Sequence, residues 1–227
     1  MNILAFDTSF NIMYVTLGKD NTILDSRKIK STEQNYNSAY LVSTIADILK
    51  ENNLVMKDIE ALGVNIGPGS FTGLRASVTV ARVIAQQLDI PVAGIPSFQI
   101  YSELNKTEKQ TFCIMDARRG MAYIAVYDQN SEPILQPCVV EYEKALEMAQ
   151  SEDFFIISDD RMAKQLEEKS LHFLNFYENE EDFGVFLLKQ TLKCLQAQDS
   201  MEFNWRKLKP LYIQPPAITI ANKNNIT

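Results

Sequence analysis

"LAFDTSFNIMYVTLG" at residues 4–18 and "CIMDARRGMAYIAVY" at residues 113–127 can be laid over each other without a gap. Asp7 then falls on Asp116, Tyr14 on Tyr123, Val15 on Ile124 and Leu17 on Val126. Each stretch reads as an apolar strand ending in aspartate, a tight turn, and a second strand carrying tyrosine. With a short insertion, "TIL" at 22–24 matches "PIL" at 133–135. The self-similarity predicts a duplicated hairpin start and two related lobes. Chance agreement between short apolar strands is the competing reading.

The first half then reads as strands over "NILAF", "IMYVTLG" and "TILDSRKI", a helix over "YNSAYLVSTIADILK", strand "ALGVNI", and a long helix from residue 70 to 88. That order is an α/β layer architecture with an antiparallel start. In the second half "FFIIS" predicts a buried strand, "DRMAKQLEEK" an exposed helix, and "FGVFLLKQTLKCLQAQ" an amphipathic helix of the second lobe. "PLYIQPP" reads as a short strand stopped by prolines.

Composition narrows the function classes. The 227 residues are 46% apolar, enough for two lobes with cores of their own. The three cysteines, Cys113, Cys138 and Cys194, form no C-x-x-C pair, and the first residues carry no basic leader, so a reduced, soluble, cytoplasmic chain without a membrane span is expected. The formal charge of −7 opposes a protein that binds nucleic acid by itself. The one basic cluster, Arg206, Lys207 and Lys209 in "WRKLKP", reads as a solvated helix end or linker.

The loop "GPGSFTG" raises the question of anion binding. Gly67 and Gly69 bracket Pro68, Ser70 is a natural N-cap, and a helix reached through a glycine loop can hold a phosphate. The Lys of a Walker loop is missing, since Gly73 and Arg75 follow Thr72 with only Leu74 between. Arg75 in the first turn opposes the helix dipole. "GPGSFTG" is no nucleophile elbow, and the only histidine, His172, lies in the other half as an expected strand residue. A serine hydrolase and a two-histidine metal site are both excluded.

"FDTS", "NIGPGSFTGLR", "MDARRGMAY" and "PLYIQ" together resemble the TsaB (YeaZ) family across nearly the whole chain. That resemblance implies an actin-like ATPase fold of two ribonuclease-H-like lobes, placed at residues 1–105 and 106–227, with about 205–227 free to return to the first lobe. It implies a non-catalytic subunit of the bacterial machinery that makes threonylcarbamoyladenosine at position 37 of tRNA. The catalytic relative, TsaD, and the ATPase TsaE are the implied partners, with tRNA met only through the complex and a homodimer formed when TsaD is absent. The relative's metal-binding H-x-x-x-H pair has no counterpart here. Asn37 and Gln214 stand where family members often have histidine and arginine.

Actin-like ATPases cradle phosphates in loops after the first strand of each lobe, with glycines that let the backbone approach. "TSFN" follows Asp7 and "ARRG" follows Asp116, so only Gly120 is present. Asp7 and Asp116 are therefore expected to be remnants of a degenerate site, with no cofactor. The alternative, an actin-like small-molecule kinase or acyl transferase, would favour glycines in both loops. The second helix is apolar nearly all round, and the first carries two tyrosines, which predicts a partner surface on the pair. Its expected residues are Tyr36, Tyr40, Leu41, Thr44 and Ile48 with Thr72, Ala76, Thr79, Val80 and Val83. The competing reading covers both helices with the second lobe.

Overall fold

The computed structural model describes residues 1–30, 37–197 and 203–213. Its first sheet holds β1 (Asn2–Asp7), β2 (Ile12–Lys19), β3 (Thr22–Lys30), β4 (Ala61–Gly67) and β5 (Val92–Pro96) in the order β3-β2-β1-β4-β5. The second holds β6 (Thr111–Asp116), β7 (Met121–Tyr127), β8 (Pro133–Glu141), β9 (Phe155–Ser158) and β10 (Phe173–Asn175) in the order β10-β9-β6-β7-β8. Read from the other edge the second order repeats the first. In both sheets an antiparallel three-strand meander is extended by parallel strands. This is the duplicated pair of ribonuclease-H-like lobes of the actin-like fold.

The duplication differs from the gapless overlay at one residue. Leu4 and Phe6 face the outer core of the first lobe, and Phe112 and Ile114 face the outer core of the second. Phe6 pairs with Val15 and Ile114 with Ile124, so Val15 matches Ile124, and Tyr14 matches Tyr123 as expected. Asp7, opposite Tyr14, then matches Met115, opposite Tyr123, and Asp116 lies one position further on. Side chains alternate faces along a strand, so this single step turns Asp116 to the opposite face from Asp7.

The helices form two outer layers and one shared inner layer. A 3-10 turn (Asn37–Tyr40) leads into α1 (Leu41–Glu51), which with α2 (Phe71–Leu88) covers the outer face of the first sheet. The outer face of the second sheet is covered by α4 (Tyr142–Ser151) and α5 (Asp160–Glu168). Between the sheets lie α3 (Ser97–Ser102) and α6 (Phe183–Ala197), sharing one core with the inner faces of both sheets.

The position of α6 corrects the expectation that it belongs to the second lobe: it packs across β1, β2, β4 and β5 of the first sheet. Glycines make that close approach possible. A Cβ on Gly63 of β4 would stand 1.9 Å from Thr191 Oγ1, and one on Gly184 would stand 2.2 Å from Thr16 Oγ1. Residues 210–213 form no strand, which corrects the reading of "PLYIQPP" over its described part. Instead the Leu211 N–H donates to the Ile66 carbonyl at 2.7 Å, and Leu208 is buried in the outer core of the first sheet. Residues 205–207 form a turn rather than a helix end. His172 is an exposed residue in the loop before β10, not a strand residue. Among the described residues no helix is long and apolar enough to cross a membrane.

Candidate functional site

The residues expected to carry function fall, where they are described, at the cleft between the lobes, around Asp116, and on the outer face of the first lobe. At the cleft, Asp7 ends β1 and is buried. Its carboxylate accepts from the Ser9 N–H at 2.7 Å and from the Asn65 amide at 2.9 Å. Burial pushes the Asp7 carboxyl up, and these bonds partly offset that. Asn65 also donates to Ser9 Oγ at 3.0 Å and accepts from Ser97 Oγ at 2.8 Å. A closed polar network therefore ties three strand ends of the first sheet together.

The glycine loop presses directly on this network. Ser70 N donates to the Ser9 carbonyl at 2.8 Å, and Thr8 Oγ1 donates to the Gly73 carbonyl at 2.7 Å. A Cβ on Gly73 would lie 1.9 Å from the Thr8 carbonyl oxygen, and one on Gly69 would lie 3.0 Å from Ser9 Cβ. Gly67 adopts a φ of +107°, a region open to glycine, and the Gly67–Pro68 peptide is cis. Ser70 Oγ accepts from the Gly73 N–H at 3.4 Å, so the expected N-cap is present but long. The loop's glycines thus serve close packing of the α2 start against the β1–β2 turn.

The rest of that turn closes the cleft. Phe10 projects onto Tyr101 and Phe176, with ring centroids 5.5 Å apart in each case, and onto Tyr177 at 5.9 Å. Tyr101 stacks on Phe176 at 4.4 Å, and Phe183 meets Tyr101 at 4.8 Å and Tyr14 at 5.8 Å. These rings come from the first lobe, α3, the segment after β10 and α6. The cavity they leave is about 20 Å³, room for about one water.

Asp116 is turned away from this cleft towards the α4–α5 layer. Its carboxylate accepts from the Tyr142 hydroxyl and from the Arg118 N–H at 2.7 Å, and Arg161 lies 3.5 Å from Oδ2. Its own N–H donates to Asp159 at 3.3 Å, and Asp159 caps α5 by accepting from the Met162 N–H at 3.1 Å. Burial lifts the Asp159 carboxyl to about 6. The sequence reading missed Asp159, whose one local signal is its place before a helix. Asp7 and Asp116 therefore do not meet across a common site. Among the described residues no group of three or more His, Cys, Asp or Glu is placed to hold a metal.

The outer face is open. At about 100° per residue, Thr72, Ala76, Thr79 and Val83 form one line on α2 opposite its buried side. Thr72, Thr79 and Val83 are exposed and Ala76 is half-buried, with Val83 60% exposed. Val80 is half-buried and packs against the first-lobe core. On the neighbouring turn and helix, Tyr40 and Val42 are exposed. Leu41, Thr44 and Ile48 are a correction: all three are buried against the first sheet, because an amphipathic helix turns its i, i+3, i+7 stripe inward. Val42 and Ala46 are the exposed apolar residues of α1 that the reading passed over. Tyr36 and Gln214 lie outside the described residues, as does the Asn37 side chain.

Comparison with known proteins adds identity to geometry. A family model described as "TsaD: tRNA N6-adenosine threonylcarbamoyltransferase" matches residues 32–186. The tRNA threonylcarbamoyladenosine biosynthesis protein TsaB of Bacillus subtilis (strain 168) is 29% identical over 178 residues, covering 75% of this chain and 77% of that protein. The TsaB protein of Escherichia coli (strain K12) is 28% identical over 152 residues, covering 62% of this chain and 64% of that protein. The solved structure "YeaZ from Pseudomonas aeruginosa" superposes with a TM-score of 0.71 at 21% identity, covering 93% of this chain and 99% of that one. The structural likeness establishes the fold.

Proposed function

This chain belongs to the TsaB (YeaZ) branch of the TsaD-type family, and on that basis we propose that it is a non-catalytic scaffold subunit of the machinery that makes N6-threonylcarbamoyladenosine in tRNA. Its partner is TsaD, held through the outer face of α1 and α2, with TsaE as the third component. Nucleotide, metal and the activated threonylcarbamoyl group belong to those partners, and tRNA modification proceeds on the complex. Without TsaD the same face pairs two copies of this chain.

The observation that carries this reading is the open line Thr72, Ala76, Thr79 and Val83 on a helix whose opposite side is fully packed. Small residues along it let a second helix come close, and Val83, Val42 and Tyr40 supply apolar area at its edges. The packed rings of Phe10, Tyr101, Phe176 and Phe183 support the non-catalytic part, since the about 20 Å³ left between them is smaller than a nucleotide.

The test is Val83→Glu, with Val42→Glu beside it, measured by calorimetric titration with TsaD. An unpaired carboxylate in a closed interface costs roughly 3–5 kcal/mol, a hundredfold or more in affinity. Because both valines are more than half exposed, the variants should melt as cooperatively as the parent chain. Undiminished TsaD binding by both variants would overturn the assignment of this face.

A further inference from the structure

The flank of α2 beside the proposed partner face carries a different chemistry. Phe71, Arg75 and Arg82 fall within about 40° of each other on the helix, roughly a quarter turn from the Thr72–Val83 line. The segment 203–213 runs along this flank. It is anchored by Val92 N–H donating to the Phe203 carbonyl at 2.9 Å, by buried Leu208, and by Leu211 N–H on the Ile66 carbonyl at 2.7 Å. That anchoring leaves Arg206, Lys207 and Lys209 exposed on the outside.

Cations and rings alternate along the strip. The Arg75 guanidinium lies 4.0 Å over the Phe71 ring, and its Nε donates to the Tyr212 hydroxyl at 3.4 Å. The Phe71 and Tyr212 ring centroids are 6.0 Å apart, and each residue is 50% exposed. Further along, Arg206 lies 4.4 Å and Arg82 5.9 Å from the Trp205 ring. Among the described residues none of Arg75, Arg82, Arg206, Lys207 and Lys209 makes an ion pair. Five cations that make no ion pair among the described residues, carried by α2 and the segment 203–213 of a chain of charge −7, give a local positive field complementary to a polyanion.

We propose that this strip is a contact surface for single-stranded RNA. Single strands are bound by pairing backbone phosphates with lysine and arginine and by stacking splayed bases on aromatic or guanidinium planes. Both elements lie side by side here, and the half-open rings of Phe71 and Tyr212 favour bases over an acidic polypeptide, which would need the charges alone. The net negative charge keeps the isolated contact weak, so its work is done while a partner holds the RNA nearby. The inference rests on the tRNA-modification reading only for which RNA is met in the cell.

The test uses the purified chain and a fluorescent single-stranded oligoribonucleotide of mixed sequence, followed by anisotropy. With five phosphate contacts the affinity should fall roughly a hundredfold between about 50 and 200 mM salt, from a slope of about 0.7 per contact. The triple substitution Arg75→Glu/Arg82→Glu/Arg206→Glu should abolish binding, and so should the independent pair Lys207→Glu/Lys209→Glu. Lys164→Glu, an exposed charge on α5, should leave binding unchanged. Phe71→Ala/Tyr212→Ala should weaken binding roughly tenfold while preserving the salt slope, the signature of lost stacking. The proposal is overturned if the chain does not bind RNA at low salt. It is equally overturned if the ring variants bind like the parent while polyglutamate displaces RNA, which would identify an acidic protein as the occupant. Neither arm contains TsaD, so a failed partner interface would be seen separately.

Discussion

Gly63→Ala should loosen α6 from the first sheet. The added Cβ would lie 1.9 Å from Thr191 Oγ1 and 2.9 Å from both Thr191 Cβ and Cγ2. Rotating Thr191 gives only partial relief, because its Cβ does not move with χ1 and stays 2.9 Å from the added methyl. Its hydroxyl is also held, donating to the Leu187 carbonyl at 2.8 Å. Restoring ordinary contact at 3.4 Å requires a shift of about 1.5 Å, borne by a helix whose neighbours Leu187, Leu188 and Leu192 are buried. Overpacking of this kind costs about 1–3 kcal/mol, and buried backbone on both sides places this case near the upper value. At about 2–4 °C per kcal/mol for a chain of this size, the melting midpoint should fall by about 6–12 °C. Thr191→Ala alone should cost less than about 1.5 kcal/mol, the loss of one hydroxyl bond and a methyl. In the double variant two of the three opposing atoms are gone, so much of the loss should return, with a coupling of about 1.5 kcal/mol or more. Thermal and urea unfolding of the four proteins measures this cycle. A Gly63→Ala midpoint equal to the parent's, or a double variant no better than the single, would refute the packing of α6 against β4.

Asp159 should make the chain respond to pH. Its folded value of about 6 lies above the ordinary 3.8, so the neutral carboxyl is favoured by folding; that stability is present below about pH 3.8 and lost as the pH rises through about 6. Asp159→Asn removes the titration and keeps a capping oxygen, so at pH 7.5 it should unfold at higher urea than the parent, by at most about 3 kcal/mol. That gap should close as the pH falls towards about 4, and a constant gap would contradict the assignment. Ser70→Ala removes a cap bond that is already long, so it should cost about 0.5–1 kcal/mol by urea unfolding, with TsaD binding within about twofold of the parent's.

Local chemistry is written plainly in this sequence. The strand in "NILAF" follows from its apolar run and that in "IMYVTLG" from partial alternation, and the repeat near residue 113 announces a second lobe. Ser70 before a periodic apolar run marks the start of α2, and Val83 belongs to its open line. Other features depend on segments meeting from far apart in the chain. Whether α6 covers the second sheet or the first was decided by the space above Gly63 and beside Gly184, matched to Thr191 and Thr16. Asp116 faces away from Asp7 because the two hairpins differ by one residue, and a one-residue step reverses every side chain without changing the apolar pattern. Leu41, Thr44 and Ile48 looked equally fit for a core or a partner, and only the position of α1 over β2 and β3 turned them inward. The cleft is filled by Phe10, Tyr101, Phe176 and Phe183, four rings from distant segments that carry no common motif. The basic cluster at 206–209 gained Arg75 and Arg82 as neighbours in the same way. Hydrophobic period and capping are properties of a few adjacent residues, so sequence alone determines them. Which face meets which is set by shape and charge between segments that are not neighbours in the chain, and that only the folded structure decided.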